Sequence, residues 1–116
     1  MKYQIKILEL AKSDLREIHR YIAETLKNPD AAKKRVSLIE TAILSLAKNP
    51  ALYPLVRDGY LASKGYRVIV AKNHLVFFTA RDGMQEVHVM RVLYGRRDWL
   101  AQLRLAACEP DDNDDG

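Results

Sequence analysis

Residues 65–99 constrain the chain more than any other stretch. They read Gly65-Tyr66-Arg67, then short runs rich in Val, Ile, Phe and Tyr, each closed by turn residues. Lys72-Asn73 separates Val70 from Leu75, and Asp82-Gly83 separates Phe78 from Val87. Asp and Gly tolerate positive φ, so Asp82-Gly83 predicts a hairpin turn. Three strands in series, joined by two tight turns, predict an antiparallel meander. The same stretch carries Arg67, Arg91, Arg96 and Arg97, with Tyr66 and Tyr94 among them. An Arg on a central strand is costly unless its charge has a partner or water. The expectation is a sheet with one packed face and one basic face.

The remainder supplies the cover. Tyr3, Ile5 and Ile7 alternate with Gln4 and Lys6, the period of a strand with one buried face. Its only available partner is the meander. Ser13 fits an N-cap, with Asp14 and Glu17 in the following turn. Ala11, Leu15, Ile18 and Ile22 then recur at helical spacing. His19 lies off that stripe and reads as solvated. Asn28-Pro29 ends this helix and opens another, since Asn caps and Pro suits the first helical position. Ala32, Val36, Ile39, Ile43 and Leu46 form the second stripe. Residues 49–64, with Pro50, Pro54 and Gly59, predict an irregular loop of about fifteen residues, long enough to be functional. Asp98 caps a short C-terminal helix from Trp99. The order is β-α-α-β-β-β-α: an α+β domain with a helical hairpin on a mainly antiparallel sheet, drawn as two layers.

Charge narrows the partners. All nineteen Lys and Arg fall within residues 1–108, against ten Asp and Glu there, a net charge of +9. Residues 109–116 hold the other five acidic residues and no apolar side chain but Pro110, so they read as a disordered acidic tail on a single domain, 1–108. A domain this basic attracts polyanions or acidic proteins. Cys108 is the only cysteine, which excludes an intrachain disulfide and suits a reducing cytoplasm. The alternating N-terminus does not read as a signal peptide. No run reaches the ~20 apolar residues of a membrane span. No ligand spacing for a metal is present, and no cofactor motif.

In sequence order, Asp14-Leu15-x-x-Ile18-x-x-Tyr21-Ile22, Asn28-Pro29-x-Ala31-Ala32, Gly65-Tyr66-Arg67, His74-Leu75-Val76-Phe77-Phe78 and Arg91-Val92-Leu93-Tyr94-Gly95-Arg96-Arg97-Asp98-Trp99 together resemble the RelE/ParE superfamily of bacterial toxins. The likeness spans about residues 1–103. It implies the growth-inhibiting toxin of a type II toxin–antitoxin pair, bound in a hetero-oligomer with its cognate antitoxin. RelE-like members cleave mRNA on the ribosome. ParE-like members inhibit DNA gyrase without nuclease activity. The sequence reading puts the endonuclease first and gyrase inhibition as the alternative.

Metal-free RNA cleavage needs a base for the 2′-hydroxyl, cations for the crowded phosphate and an acid for the leaving oxygen. By resemblance Arg67 and Arg97 are the catalytic cations, with Tyr94 as proton donor or stacking platform. Lys64, Arg57, Arg91 and Arg96 are the candidate phosphate contacts. His74 and His88 are the imidazoles on the strands available as bases. On strict alternation Arg91 and Tyr94 fall on opposite faces unless a bulge intervenes. The tail reads as a solubilising end rather than a shield for the basic face. Deleting residues 109–116 should therefore leave toxicity and antitoxin affinity unchanged in a growth and binding assay.

Overall fold

The computed structural model describes residues 2–96 and 98–108. The N-terminal strand β1 (Gln4–Ile7) runs straight into helix α1 (Glu9–Arg20), which continues as a π-helical turn, Tyr21–Thr25. Helix α2 (Pro29–Leu44) follows, then a loop holding the short helix α3 (Gly59–Ser63). Strands β2 (Arg67–Ala71), β3 (His74–Arg81) and β4 (Glu86–Tyr94) form the meander, and α4 (Trp99–Cys108) closes the chain. The sheet order is β1-β4-β3-β2. β1 pairs parallel with β4, Ile5 against Val87 and Ile7 against Val89, while β2, β3 and β4 pair antiparallel. The N-terminal strand thus finds the partner that its sequence demanded.

Two local expectations need correction. Ser13 does not cap α1. The helix starts four residues earlier, at Glu9, with Leu8 at the cap and no side-chain bond there. A strand that feeds directly into a helix leaves no loop for a capping side chain, and Ser13 stays exposed within the helix. The β3–β4 turn is also built differently. Asp82–Met84 form a 3-10 turn, and the left-handed residue is Gln85, with φ 53°, rather than Gly83. The β2–β3 turn is made by Lys72, φ 59°, and Asn73. Asn28 caps α2 as expected, its Oδ1 accepting from the Ala31 N–H at 3.1 Å. In the loop, Asp58 caps α3 through the Leu61 N–H, so this segment is less irregular than its composition implies.

The sheet is covered on both faces, which replaces the two-layer expectation with three layers. On one face α1 and α2 bring Ala11, Ile39 and Ile43 against Ala71, Val76, Val89 and Val92. On the other, Leu61 of α3 and Leu103 of α4 pack with Tyr66, Phe77 and Leu93, and Trp99 lies 5.2 Å from the Phe77 ring. Burial on both sides explains why Leu75–Phe78 of β3 are apolar without a break and why β4 carries apolar side chains on both faces. The switch between faces on β4 has a definite place. Phe77 pairs with Arg91 and Phe78 with Val89, so Met90 is a bulge. Val89 and Val92 face the hairpin while Met90 and Leu93 face α4, a slip of one in the alternation.

Asp14 of α1 holds this irregular point. β1 pairs with β4 no further than Val89. Beyond it, the Asp14 carboxylate accepts from the Val92 N–H at 2.9 Å and from Arg91 Nε and Nη2 at 2.7 and 2.9 Å. Both side chains are about nine-tenths removed from solvent, 13% exposed for Asp14 and 15% for Arg91. Removing one member strands the other. Asp14→Ala should cost about 3 kcal/mol of unfolding free energy, and the Asp14→Leu/Arg91→Met pair should recover only the part owed to the stranded charge, because the Val92 N–H stays without its acceptor, read by urea denaturation.

Candidate functional site

The basic side chains of the sheet divide between its two ends. At one end β2 begins. Arg67 lies opposite Phe78, and its Nη1 donates to the Tyr53 carbonyl at 2.6 Å. The same end is stitched by Val56 N–H to the Tyr66 carbonyl and Val68 N–H to the Pro54 carbonyl, at 2.9 and 3.1 Å. Arg67 therefore ties the long loop to the sheet. Arg57 is exposed on that loop. Lys64 stands 5.5 Å over the Tyr60 ring. Arg104 of α4 grips Asp58 at 2.6 Å, and that bond holds the Asp58 carboxyl below its usual pKa against a partial desolvation.

At the other end β3 begins and β4 finishes. Tyr94 lies opposite His74, their rings 5.6 Å apart. The chain then turns away through Gly95, whose N–H donates to the Asn73 carbonyl at 2.8 Å. A Cβ there would meet that carbonyl at 3.3 Å, which accounts for the glycine. Arg96 is exposed just beyond. Arg97 lies outside the described residues.

These positions decide which sequence candidates meet. Phe78 and His74 are four residues apart on β3, so Arg67 and Tyr94 are separated by about 13 Å along the sheet and about 10 Å across it. Arg57, Lys64 and Arg67 share one end; Tyr94 and Arg96 share the other. Arg91 belongs to neither, being engaged by Asp14. The two strand histidines are also apart. His88 lies beside Glu86, Nε2 to Oε1 2.9 Å, and Lys6 approaches the same carboxylate at 3.4 Å. The His88 bond lowers the Glu86 pKa, with Lys6 helping and burial opposing. His74 is 6% exposed and its Nδ1 has no partner among the described residues. Burial pushes its pKa down, and the nearby Arg35 guanidinium pushes it further. Among the described residues no group of three His, Cys, Asp or Glu is placed to hold a metal ion, and no helix is long and apolar enough to cross a membrane.

Residues 5–99 match the family described as the ParE toxin of the type II toxin–antitoxin system parDE. The chain belongs to the ParE toxin family. Its fold is shared with a chain of the chromosomal ParDE toxin–antitoxin system from P. aeruginosa, at 18% identity and TM-score 0.67, covering 79% of this chain and 95% of that one. It is also shared with a chain of the RelBE2 toxin–antitoxin complex from Mycobacterium tuberculosis, at 16% identity and TM-score 0.58, covering 81% and 99%. No curated protein matches the chain significantly. The sequence reading of a RelE/ParE superfamily toxin therefore holds, and the family match falls on its ParE side.

Asp14, Arg35 and Arg104 were absent from the sequence candidates. Their surroundings come from residues distant in the chain, Arg91 for Asp14, His74 for Arg35 and Asp58 for Arg104, which no local pattern joins to them.

The His74 environment has a measurable consequence. A histidine whose folded pKa is depressed favours the neutral form in the folded state. Its contribution is complete above the unfolded value of 6.5 and is lost as pH falls through 6.5 toward the lower folded value. The unfolding free energy should decline as pH falls below 6.5. Replacing Arg35 with Gln should raise the His74 pKa, followed by imidazole resonances in an NMR pH titration.

Proposed function

We propose that this ParE-family chain is a cytoplasmic toxin that acts by binding DNA gyrase, rather than by cutting RNA, and that a cognate antitoxin neutralises it in a hetero-oligomer. The observation that carries this reading is the dispersal of the basic side chains. A metal-free ribonuclease must gather a base, a phosphate clamp and a proton donor around one phosphodiester, all within hydrogen-bond reach of the reacting atoms. Here Arg67 is occupied by the Tyr53 carbonyl, Arg91 by Asp14, and Tyr94 stands at the far end of the sheet from Arg67. What the surface offers instead is a basic scaffold with exposed apolar and aromatic side chains, Tyr21, Leu26, Leu44, Leu52 and Met84 among them. Such surfaces suit protein partners. The family match supports gyrase as the target, since ParE-like members inhibit it. The assemblies containing the structural neighbours support an antitoxin as partner.

Inducible expression should arrest growth with filamentation and leave translated mRNA uncut in primer extension. Purified chain should inhibit gyrase supercoiling, and co-expressed antitoxin should relieve it. Translation-dependent cuts that vanish in Arg67→Ala would overturn this reading in favour of the ribosomal endonuclease. Harmless expression of intact chain would leave only antitoxin binding.

A further inference from the structure

Three elements place unsatisfied groups at one corner of the sheet. Arg35 of α2 is half-buried and makes no ion pair or hydrogen bond with any described residue. Its helical neighbours at i±3 and i±4 are Ala31, Ala32, Leu38 and Ile39, so its own helix supplies no carboxylate. Ile39, one turn further along α2, packs against Ala71, the strand partner of His74, and the His74 imidazole feels the Arg35 charge; that imidazole is itself buried and, among the described residues, unpartnered at Nδ1. Tyr94, at the end of β4, covers that imidazole with its ring, stays 37% exposed and bonds its hydroxyl to no described group. Lys72 in the hairpin turn and Arg96 after Gly95 are exposed nearby in the chain, and neither makes an ion pair with a described residue. A half-buried guanidinium with no counter-charge among the described residues is a poor arrangement for an isolated domain. Elsewhere in this molecule half-buried cations are matched, Arg91 by Asp14 and Arg67 by a carbonyl.

We infer that Arg35, His74 and Tyr94 form a receptor for a carboxylate side chain of an acidic protein segment. A guanidinium fork takes a planar carboxylate through two parallel N–H···O bonds. The Tyr94 hydroxyl is a further donor, and Lys72 and Arg96 add long-range attraction. Arg and Tyr are also among the residue types enriched at interface anchors. The choice of a protein carboxylate over a nucleic-acid phosphate rests on the protein-binding reading above.

The test uses the full chain, its histidines labelled with nitrogen-15, at fixed pH. A capped hexaglutamate peptide, inorganic phosphate and a hexathymidylate oligonucleotide are titrated in turn while the His74 imidazole is followed. The expected result is a saturable His74 shift with hexaglutamate. Arg35→Gln should weaken it about tenfold or more, the loss of one charge-assisted bidentate contact. Lys34→Gln, the same charge change one residue away, should not. Tyr94→Phe should weaken it by a smaller factor, and it carries the test if Arg35→Gln does not fold. No saturable shift, or one undiminished in the variants, overturns the site. Tighter binding of phosphate or oligonucleotide with the same Arg35 dependence overturns the carboxylate and assigns the corner to nucleic acid. No gyrase enters this experiment, so a failed titration and a failed supercoiling assay are read separately.

Discussion

The Asp14 carboxylate sits where the sheet would otherwise come undone. β4 is an inner strand as far as Val89, where β1 ends, and an edge strand after it. An edge leaves backbone N–H groups without partners. Asp14 accepts one of them, from Val92, and pairs with Arg91 in the same grip. A partly buried ion pair adds little net stability over a well-packed apolar substitute, because desolvation offsets the attraction. Its value lies in position. It fixes α1 against β4 beside the bulge at Met90, and the bulge decides which side chains meet which layer.

That decision propagates to the whole far end of the molecule. With the alternation slipped by one, Leu93 goes under α4 and Val92 goes under the hairpin. Tyr94, one further on, meets His74. Without the slip Leu93 would compete for space with Ile39 and Ile43, and α4 would lose part of its seat. The three-layer arrangement, the closure by Trp99 on Phe77 and the corner at Arg35 thus descend from one unpaired residue and the carboxylate beside it.

Legibility in the sequence followed the range of each interaction. The Asn28-Pro29 start of α2, the Lys72-Asn73 turn and the three meander strands are set by neighbours in the chain, and they were readable. The start of α1 was misplaced because Ser13 has the right chemistry for a cap but the wrong context, one strand running into one helix. Asp58 and Gly59 fall in the stretch read as an irregular loop, because α3 there spans only five residues, too few for a periodicity to show. Asp14 and Arg91 lie 77 residues apart, and no local pattern joins them. The second covered face was hinted at by the apolar character of β3 on both sides, yet α4 is too short to announce which face it would take. Within the Arg91–Trp99 motif, Arg91 turns to Asp14 of α1 while Arg96 is exposed beyond the end of β4, a division that no local spacing announces.

The fold by itself does not choose between the two activities of the superfamily, as its likeness to chains of both ParDE and RelBE2 assemblies shows. The engagement of individual side chains discriminates better. For Arg67 to grip a phosphate it must release the Tyr53 carbonyl, a partly buried acceptor whose desolvated cost is about 1–3 kcal/mol if left bare. The bond also ties the loop that carries α3 to β2, so its loss would loosen the seat of Leu61 beneath α4. A residue that holds the scaffold together in this way is poorly placed to give up its contact at every turnover. Arg35 is in the opposite position. It makes no hydrogen bond or ion pair with a described residue, so an incoming acidic group meets no competing bond that must first break.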